Sequence, residues 1–381
     1  MLLEFGCRNF FSFREGLSIS FRLDANCPEE ISNGLNYAPV ICVKGANASG
    51  KTQVLKALSF IANFCTSSFS RDVDDLIAVS PFFESTEPCE FYAEFEHLGT
   101  EYRYELTTTD VEVKREVLYK KKQRQSRVFE RVDNALVYAS KAVAALKAIT
   151  LRKNASIIST THQYDIKLSE MQDVYTFFKF IVTNVSYTGL REQPRDIFWV
   201  SKYLKENPEI FDFVKDFIKK CDTGVSDIQI FEVTDSDNNK KFAPAFLHAH
   251  ERQTHVVTSM TESSGTKALY RDLAGYHLAL KFGGIIVADE LDINLHPFLL
   301  RKIVELFLDE ETNIKGAQLI FSTHNSEILD HLGRYRSYMV NKDNNESFAY
   351  RLDDFPGDVI RNGRAISPAY KDGKIGGVPR L

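Results

Sequence analysis

Gly45-Ala46-Asn47-Ala48-Ser49-Gly50-Lys51-Thr52 fits G-x-x-x-x-G-K-T at every fixed position. An apolar run, 39–43, precedes it, and from Lys51 the pattern becomes helical, so strand, glycine-rich loop and helix follow one another. A phosphate loop needs that setting, because glycines let the backbone curl until successive N–H groups converge on an anion at a helix N-terminus. Gly45, Asn47, Ser49 and Gly50 are the expected cradle. Lys51 is expected to bridge the β- and γ-phosphates of ATP, and the Thr52 hydroxyl to hold Mg²⁺. By ordinary residue usage such a match arises by chance in about one chain in a hundred of this length.

The matching acids lie far downstream. Ile285-Ile286-Val287-Ala288 reads as a buried strand that ends in Asp289-Glu290. Asp289 is expected in the magnesium shell and Glu290 as the general base for an attacking water. Before that strand, Glu262-Ser263-Ser264-Gly265-Thr266-Lys267 opens a helix, so a serine hydroxyl and glycine N–H groups form a second anion site. It is redundant for a nucleotide already held by Lys51, which points to a nucleotide on another subunit. After the strand, Ser322-Thr323-His324-Asn325 closes one more buried run, where His324 can hydrogen-bond a γ-phosphate.

The rest of the chain arranges itself around these segments. Residues 2–13 and 17–23 read as strands, and 90–139 as an antiparallel meander. Residues 140–220 are mainly helical, with Asn207 expected as N-cap and Pro208 at the first helical position. Strands return over 228–258, and from Ser264 helices alternate with near-continuous apolar strands, the pattern of a parallel sheet covered on both faces. Residues 337–352 read as a hairpin.

The order of phosphate loop, long insertion, S-x-G-T signature, acidic strand and strand-end histidine resembles the ABC-type ATPase heads of the SMC, RecF and OLD group. Asn9-Phe10-Phe11-Ser12-Phe13 resembles that group's N-terminal opening. Asp289-Glu290-Leu291-Asp292 with Leu295-His296-Pro297, and Gln318 through Asn325, resemble the compact ATPases of bacterial abortive-infection and phage-defence operons. The ATPase subunit of the PARIS system is one member type. The resemblance implies an α/β fold: an ABC-type P-loop ATPase head split by a long insertion, with an antiparallel β-lobe and a helical subdomain. The expected organisation is 1–139 for the N-terminal half with the lobe, 140–227 for a helical insertion, 228–336 for the C-terminal half, and 337–381 for a hairpin and tail.

It also implies ATP and Mg²⁺ as ligands and a site shared between two copies. Ser263 and Gly265 of one copy would cap the γ-phosphate held by Lys51 of the other, with Asp292 across the interface. The signature continues into Thr266 and Lys267 rather than glutamine, and the magnesium-sensing glutamine of the group is sought at Gln163. Implied partners are a second copy of the chain or a higher oligomer, a separate effector of the nuclease type, and a phage protein as trigger. The sequence after His324 is too short for the toprim nuclease of OLD proteins, so the killing activity is expected on another protein.

Composition narrows the alternatives. The chain has 381 residues, 44% hydrophobic and 26% charged, with a formal net charge of −5. No apolar run is long enough to span a bilayer and no signal peptide opens the chain, which leads to the expectation of a cytoplasmic protein. The six cysteines form no C-x-x-C pair. Lys120, Lys121, Lys122, Arg124, Arg127 and Arg131 form the strongest basic cluster, read as solvated hairpin turns with a DNA-binding lobe as the alternative. The latter would suit a DNA-repair or chromosome-maintenance ATPase. A transporter subunit is disfavoured by the long insertion. His248 and His250 share a strand face without further metal ligands at suitable spacing.

Overall fold

The computed structural model describes all residues except 165–167, 192–195, 222, 235–237, 294, 356–358 and 379–381. Its centre is a six-stranded sheet in the order Glu346–Arg351, Ser337–Asp343, Val40–Gly45, Gln318–Ser322, Ile285–Ala288 and Ile181–Thr183. Only the hairpin strand Glu346–Arg351 runs antiparallel. Side chains of a strand alternate between faces, and here each face is apolar. Ile41, Val43, Ile285, Val287 and Ile320 point into one core, while Val40, Cys42, Ile286, Ala288, Leu319 and Phe321 point into the other.

The first core lies under helix Lys51–Ser67. A seven-stranded antiparallel lobe covers that helix, with Leu17–Ser20 and Leu2–Arg8 leading into the meander from Cys89–His97 to Ala135–Ala139. Its first two strands alternate: Phe91, Ala93, Phe95, Tyr104 and Leu106 are buried, and the charged residues between them face outward. Gln318 joins the two sheets, since its side-chain amide takes the N–H of Leu2 at 2.6 Å and donates to the Leu2 carbonyl at 2.9 Å. The second core lies between the parallel sheet, helices Ser264–Phe282 and Pro297–Leu308, and a subdomain of helices Ile197–Glu206 and Pro208–Lys220 with a three-stranded sheet.

Two boundaries differ from the sequence reading. Ile181–Thr183, inside the expected helical insertion 140–227, is a strand of the parallel sheet and pairs with Ile285 to Val287. These β-branched residues extend the sheet beyond the acidic strand. Strand Val225–Thr234 crosses the expected division at 227, because its pairing with Lys240–His250 begins at Val225. Asn207 precedes helix Pro208–Lys220 as expected, but its side chain donates to the Tyr203 carbonyl at 2.8 Å instead of capping. Among the described residues no helix is long and apolar enough to cross a membrane.

Candidate functional site

Strands Val40–Gly45, Gln318–Ser322 and Ile285–Ala288 are neighbours and parallel, so the phosphate loop, Ser322 to His324, and Asp289-Glu290 emerge side by side at their carboxyl ends. Open α/β sheets bind ligands at such an edge. The loop takes left-handed backbone at Ala48 (φ 61°) and Gly50 (φ 112°), and Gly50 leads into helix Lys51–Ser67. A side chain at Gly50 would meet Ser347 Oγ at 2.9 Å, and one at Gly45 would meet the Val340 carbonyl at 2.4 Å. Lys51 folds back over the loop, donating to the carbonyls of Gly45 at 3.0 Å and Ala46 at 2.9 Å. Burial pushes its pKa down, while Asp289, Glu290 and Asp292 oppose that shift. Ser49 Oγ is buried and has no hydrogen-bond partner among the described residues, and Asn47 is exposed at the loop tip.

Thr52 Oγ1 donates to Asp289 Oδ2 at 2.7 Å, and Ser322 Oγ donates to the other carboxylate oxygen. Ser322 Oγ also accepts the Glu290 N–H at 2.9 Å. Glu290 sits in the left-handed region (φ 48°), a conformation costing an L-residue about 1–2 kcal/mol. His324 Nε2 lies 3.6 Å from Glu290 Oε1, and both side chains reach solvent. Asp292 accepts the backbone N–H groups of His324 at 3.1 Å and Asn325 at 3.2 Å. Its carboxylate, expected at the interface, is thus engaged within its own chain, because it closes the turn between two strand ends.

Two groups around this edge, Asn184 and Lys44, escaped the sequence reading. Asn184, just past Ile181–Thr183, holds the backbone of Asp289 through both its amide atoms. Gln163, sought as the magnesium-sensing glutamine, is the C-cap residue of helix Ile157–His162, whose N-cap Ser156 donates to the Phe64 carbonyl in the last turns of helix Lys51–Ser67 at 3.2 Å. Lys44, buried, donates to the carbonyls of Thr323 at 3.2 Å and His324. Burial lowers its pKa to about 8.

The N-terminal opening and the tail also meet the loop. Ser12 bonds Gln53 and lies 2.6 Å from Ser347 Oγ, which in turn donates to the Ser49 carbonyl at 2.7 Å. On the other side Gly377 packs so closely that a Cβ there would lie 3.5 Å from the Gly45 Cα. The Tyr370 ring lies 5.2 Å from Lys44 Nζ. The glycine-rich tail therefore docks on its own chain's phosphate-loop strand.

The signature begins helix Ser264–Phe282. Ser263 Oγ caps that helix, accepting the Thr266 N–H at 3.1 Å, and Ser263 and Ser264 are exposed with Gly265 half-buried. Among the described residues no hydrogen bond or ion pair joins 262–267 to the phosphate loop. The basic cluster is largely neutralised. Lys120 pairs with Glu170, Lys121 with Glu101, and Arg127 with Glu130. Arg131 is fully buried against Glu116 and donates to the Ala155 carbonyl at 2.7 Å. His248 pairs with Glu262, and no group of three or more metal-ligating side chains occurs among the described residues.

The residues at the strand ends fit a nucleotide and Mg²⁺. The unpartnered Ser49 hydroxyl, the left-handed loop and the Thr52–Asp289 pair supply the anion cradle and the oxygen ligands a hard cation takes.

A family model described as "AAA domain, putative AbiEii toxin, Type IV TA system" matches residues 40–330. No curated protein matches the chain. Among solved structures it is similar to the SMC head bound to the C-winged helix domain of ScpA: 12% identity, 92% of this chain and 97% of that one covered, TM-score 0.51. The SMC head domain from Thermotoga maritima aligns at 15% identity over 92% and 98%, TM-score 0.43. The Smc head with an extended coiled coil, bound to the C-terminal domain of ScpA derived from Pyrococcus furiosus, aligns at 12% over 98% of each chain, TM-score 0.42. The first of these likenesses shows the fold, that of an ABC-type P-loop ATPase head.

Proposed function

We propose that the chain, which belongs to the AAA-domain family described as putative AbiEii toxin, type IV TA system, is an ATP-binding and ATP-hydrolysing switch whose nucleotide sites are completed by a second copy. The observation that carries this reading is the convergence of Thr52 on Asp289 at 2.7 Å beside Glu290 and His324. Lys51 leaves the carbonyls of Gly45 and Ala46 to bind the β- and γ-phosphates. Thr52 and Asp289 hold Mg²⁺, which when bound neutralises charge on those phosphates. Glu290 takes the proton of the attacking water, and His324 orients toward the γ-phosphate. Ser263 of the second copy, exposed here, and its half-buried Gly265 cap that phosphate, and the turn at Asp292 borders the contact.

The work obtained is a shift between open and closed populations rather than substrate chemistry. In this reading the closed form controls a separate effector, a nuclease, in bacterial antiphage defence in the cytoplasm, with a phage protein as trigger. The alternative, a head that grips DNA for repair or chromosome maintenance, is disfavoured because the carboxylates of Glu101, Glu116, Glu130 and Glu170 occupy most of the basic cluster.

Glu290→Gln keeps the loop and removes the base, so turnover falls about 10²–10⁴-fold while ATP stays bound. Light scattering of this variant with ATP and Mg²⁺ should give twice the monomer mass or more. A monomer at saturating ATP would contradict the shared site. The same variant, used as bait in its native host, should retain a nuclease; retaining mainly DNA and repair proteins would favour the alternative.

A further inference from the structure

His248, on strand Lys240–His250, places Nε2 2.9 Å from Glu262 Oε2. The Glu262 side chain is only 5% exposed and that of His248 27%. Its other oxygen, Oε1, accepts the Ser263 N–H at 2.7 Å. An ionised carboxylate can only accept, so the His248 nitrogen facing it carries the hydrogen and donates. A relay of contacts then runs from the three-stranded sheet through His248 and Glu262 to the Ser263 backbone, and through Ser263 Oγ to the Thr266 N–H. The opposite edge of the imidazole is confined too: a Cβ on Gly224, which takes φ +76°, would lie 3.4 Å from His248 Nδ1.

Among the described residues the turn held in this way has no other anchor of that kind. Residues 258–261 reach it through backbone bonds in which Thr261 and Glu262 both donate to the Thr258 carbonyl. Those bonds fix the path of the chain but not the direction of the Ser263 N–H. Glu262 sets that direction, and His248 sets Glu262.

We propose that His248 is a positioning residue for the signature, holding Ser263 and Gly265 in the attitude in which they meet a nucleotide bound to a second copy. This rests on the shared-site reading above. It gives the three-stranded sheet of Val225–Thr234, Lys240–His250 and Gln253–Thr258 a part in turnover although none of its described residues bonds the phosphate loop. Loss of the ring leaves a buried carboxylate with one partner fewer, and Glu262 is then free to turn away from the Ser263 N–H. Displacement of a reacting group's support by about 1 Å costs about a hundred-fold in rate. The phosphate loop of the same copy is untouched, so its own ATP affinity is preserved.

The test compares His248→Ala, His248→Gln and His248→Phe with the unaltered chain. Three quantities are read: affinity for a fluorescent ATP analogue at concentrations where the chain is monomeric, ATP-driven gain in mass, and turnover. The proposal predicts that His248→Ala and His248→Phe lose turnover about ten- to a hundred-fold. Their monomer affinity stays within about two-fold. His248→Gln, whose amide N–H reaches the same carboxylate, recovers most of the rate. Undiminished turnover in His248→Ala would overturn the proposal. So would an equal loss of monomer affinity and turnover without recovery by glutamine, which marks a residue needed only for folding. If the unaltered chain itself shows neither mass gain nor turnover with ATP, the shared-site reading fails and the proposal falls with it.

Discussion

Asn184 and Asp289 clasp each other through the backbone of the acidic turn. Asn184 Nδ2 donates to the Asp289 carbonyl at 3.0 Å, and Asn184 Oδ1 accepts the Asp289 N–H at 2.8 Å. Asn184 is fixed in its turn by its own N–H on the Val287 carbonyl at 3.2 Å. One side chain thus extends the pairing of Ile181–Thr183 and Ile285–Ala288 by a further step, at the point where Asp289 must face Thr52 and Glu290 must turn into the left-handed region.

Asn184→Ala leaves both backbone groups of Asp289 without that partner, a loss of about 1–3 kcal/mol in stability. Turnover should fall by more than the folded fraction accounts for, because the direction of Glu290 depends on this turn. Denaturant unfolding and turnover per folded molecule check the two effects separately. An unchanged rate per folded molecule would restrict Asn184 to stability.

Lys44 gives a pH signature. Buried in the folded chain, it titrates near 8, whereas unfolded lysine titrates at about 10.4. Below the lower value both states carry the charge, and burying it costs stability in full. As pH rises from about 8 toward 10.4 the folded chain releases the proton first and the cost is relieved, so the unfolding free energy contributed by Lys44 rises with pH. Urea unfolding at pH 7.5 and 9.5 should therefore show the unaltered chain gaining on Lys44→Met at the higher pH. Parallel behaviour of the two proteins would contradict a buried ammonium at this position.

The tail contact is tested at Gly377. Its φ of 72° favours glycine, and a Cβ there would lie 3.0 Å from Met339 Sδ and 3.2 Å from the Tyr370 ring. Gly377→Val should cost about 1–2 kcal/mol from backbone conformation alone. It should also lift the tail from Gly45 and weaken ATP binding, read by calorimetric titration. Unchanged ATP affinity would show that the tail covers the strand without supporting the loop.

The sequence makes one part of this site legible and hides another for a physical reason. The glycines of the loop, the apolar strand before Asp289-Glu290 and the serine opening a helix each carry a local pattern. The structure brings Lys51, Thr52, Asp289, Glu290 and His324 to one sheet edge. Asn184, Lys44 and the His248–Glu262 pair have no such pattern, because their meaning lies in partners far away in the chain: Asp289, Thr323 and, for the pair, a strand and a helix start joined by tertiary packing. The basic cluster is legible only in part for the same reason. Arg127 finds Glu130 on its own strand, but the partners of Lys121 and Lys120, Glu101 and Glu170, come from another strand and a helix. The tail glycines are legible as turns, yet the surface they cover is not.

In the proposed switch Lys51 of one copy and Ser263 of another serve one nucleotide. Lys51→Ala and Ser263→Arg chains, each inactive alone, should recover activity when mixed. A mixed dimer keeps one site with both an intact loop and an intact signature, so equal amounts should return about a quarter of the unaltered rate. Turnover of the mixture that stays at the level of the separate variants would contradict a site shared between two copies.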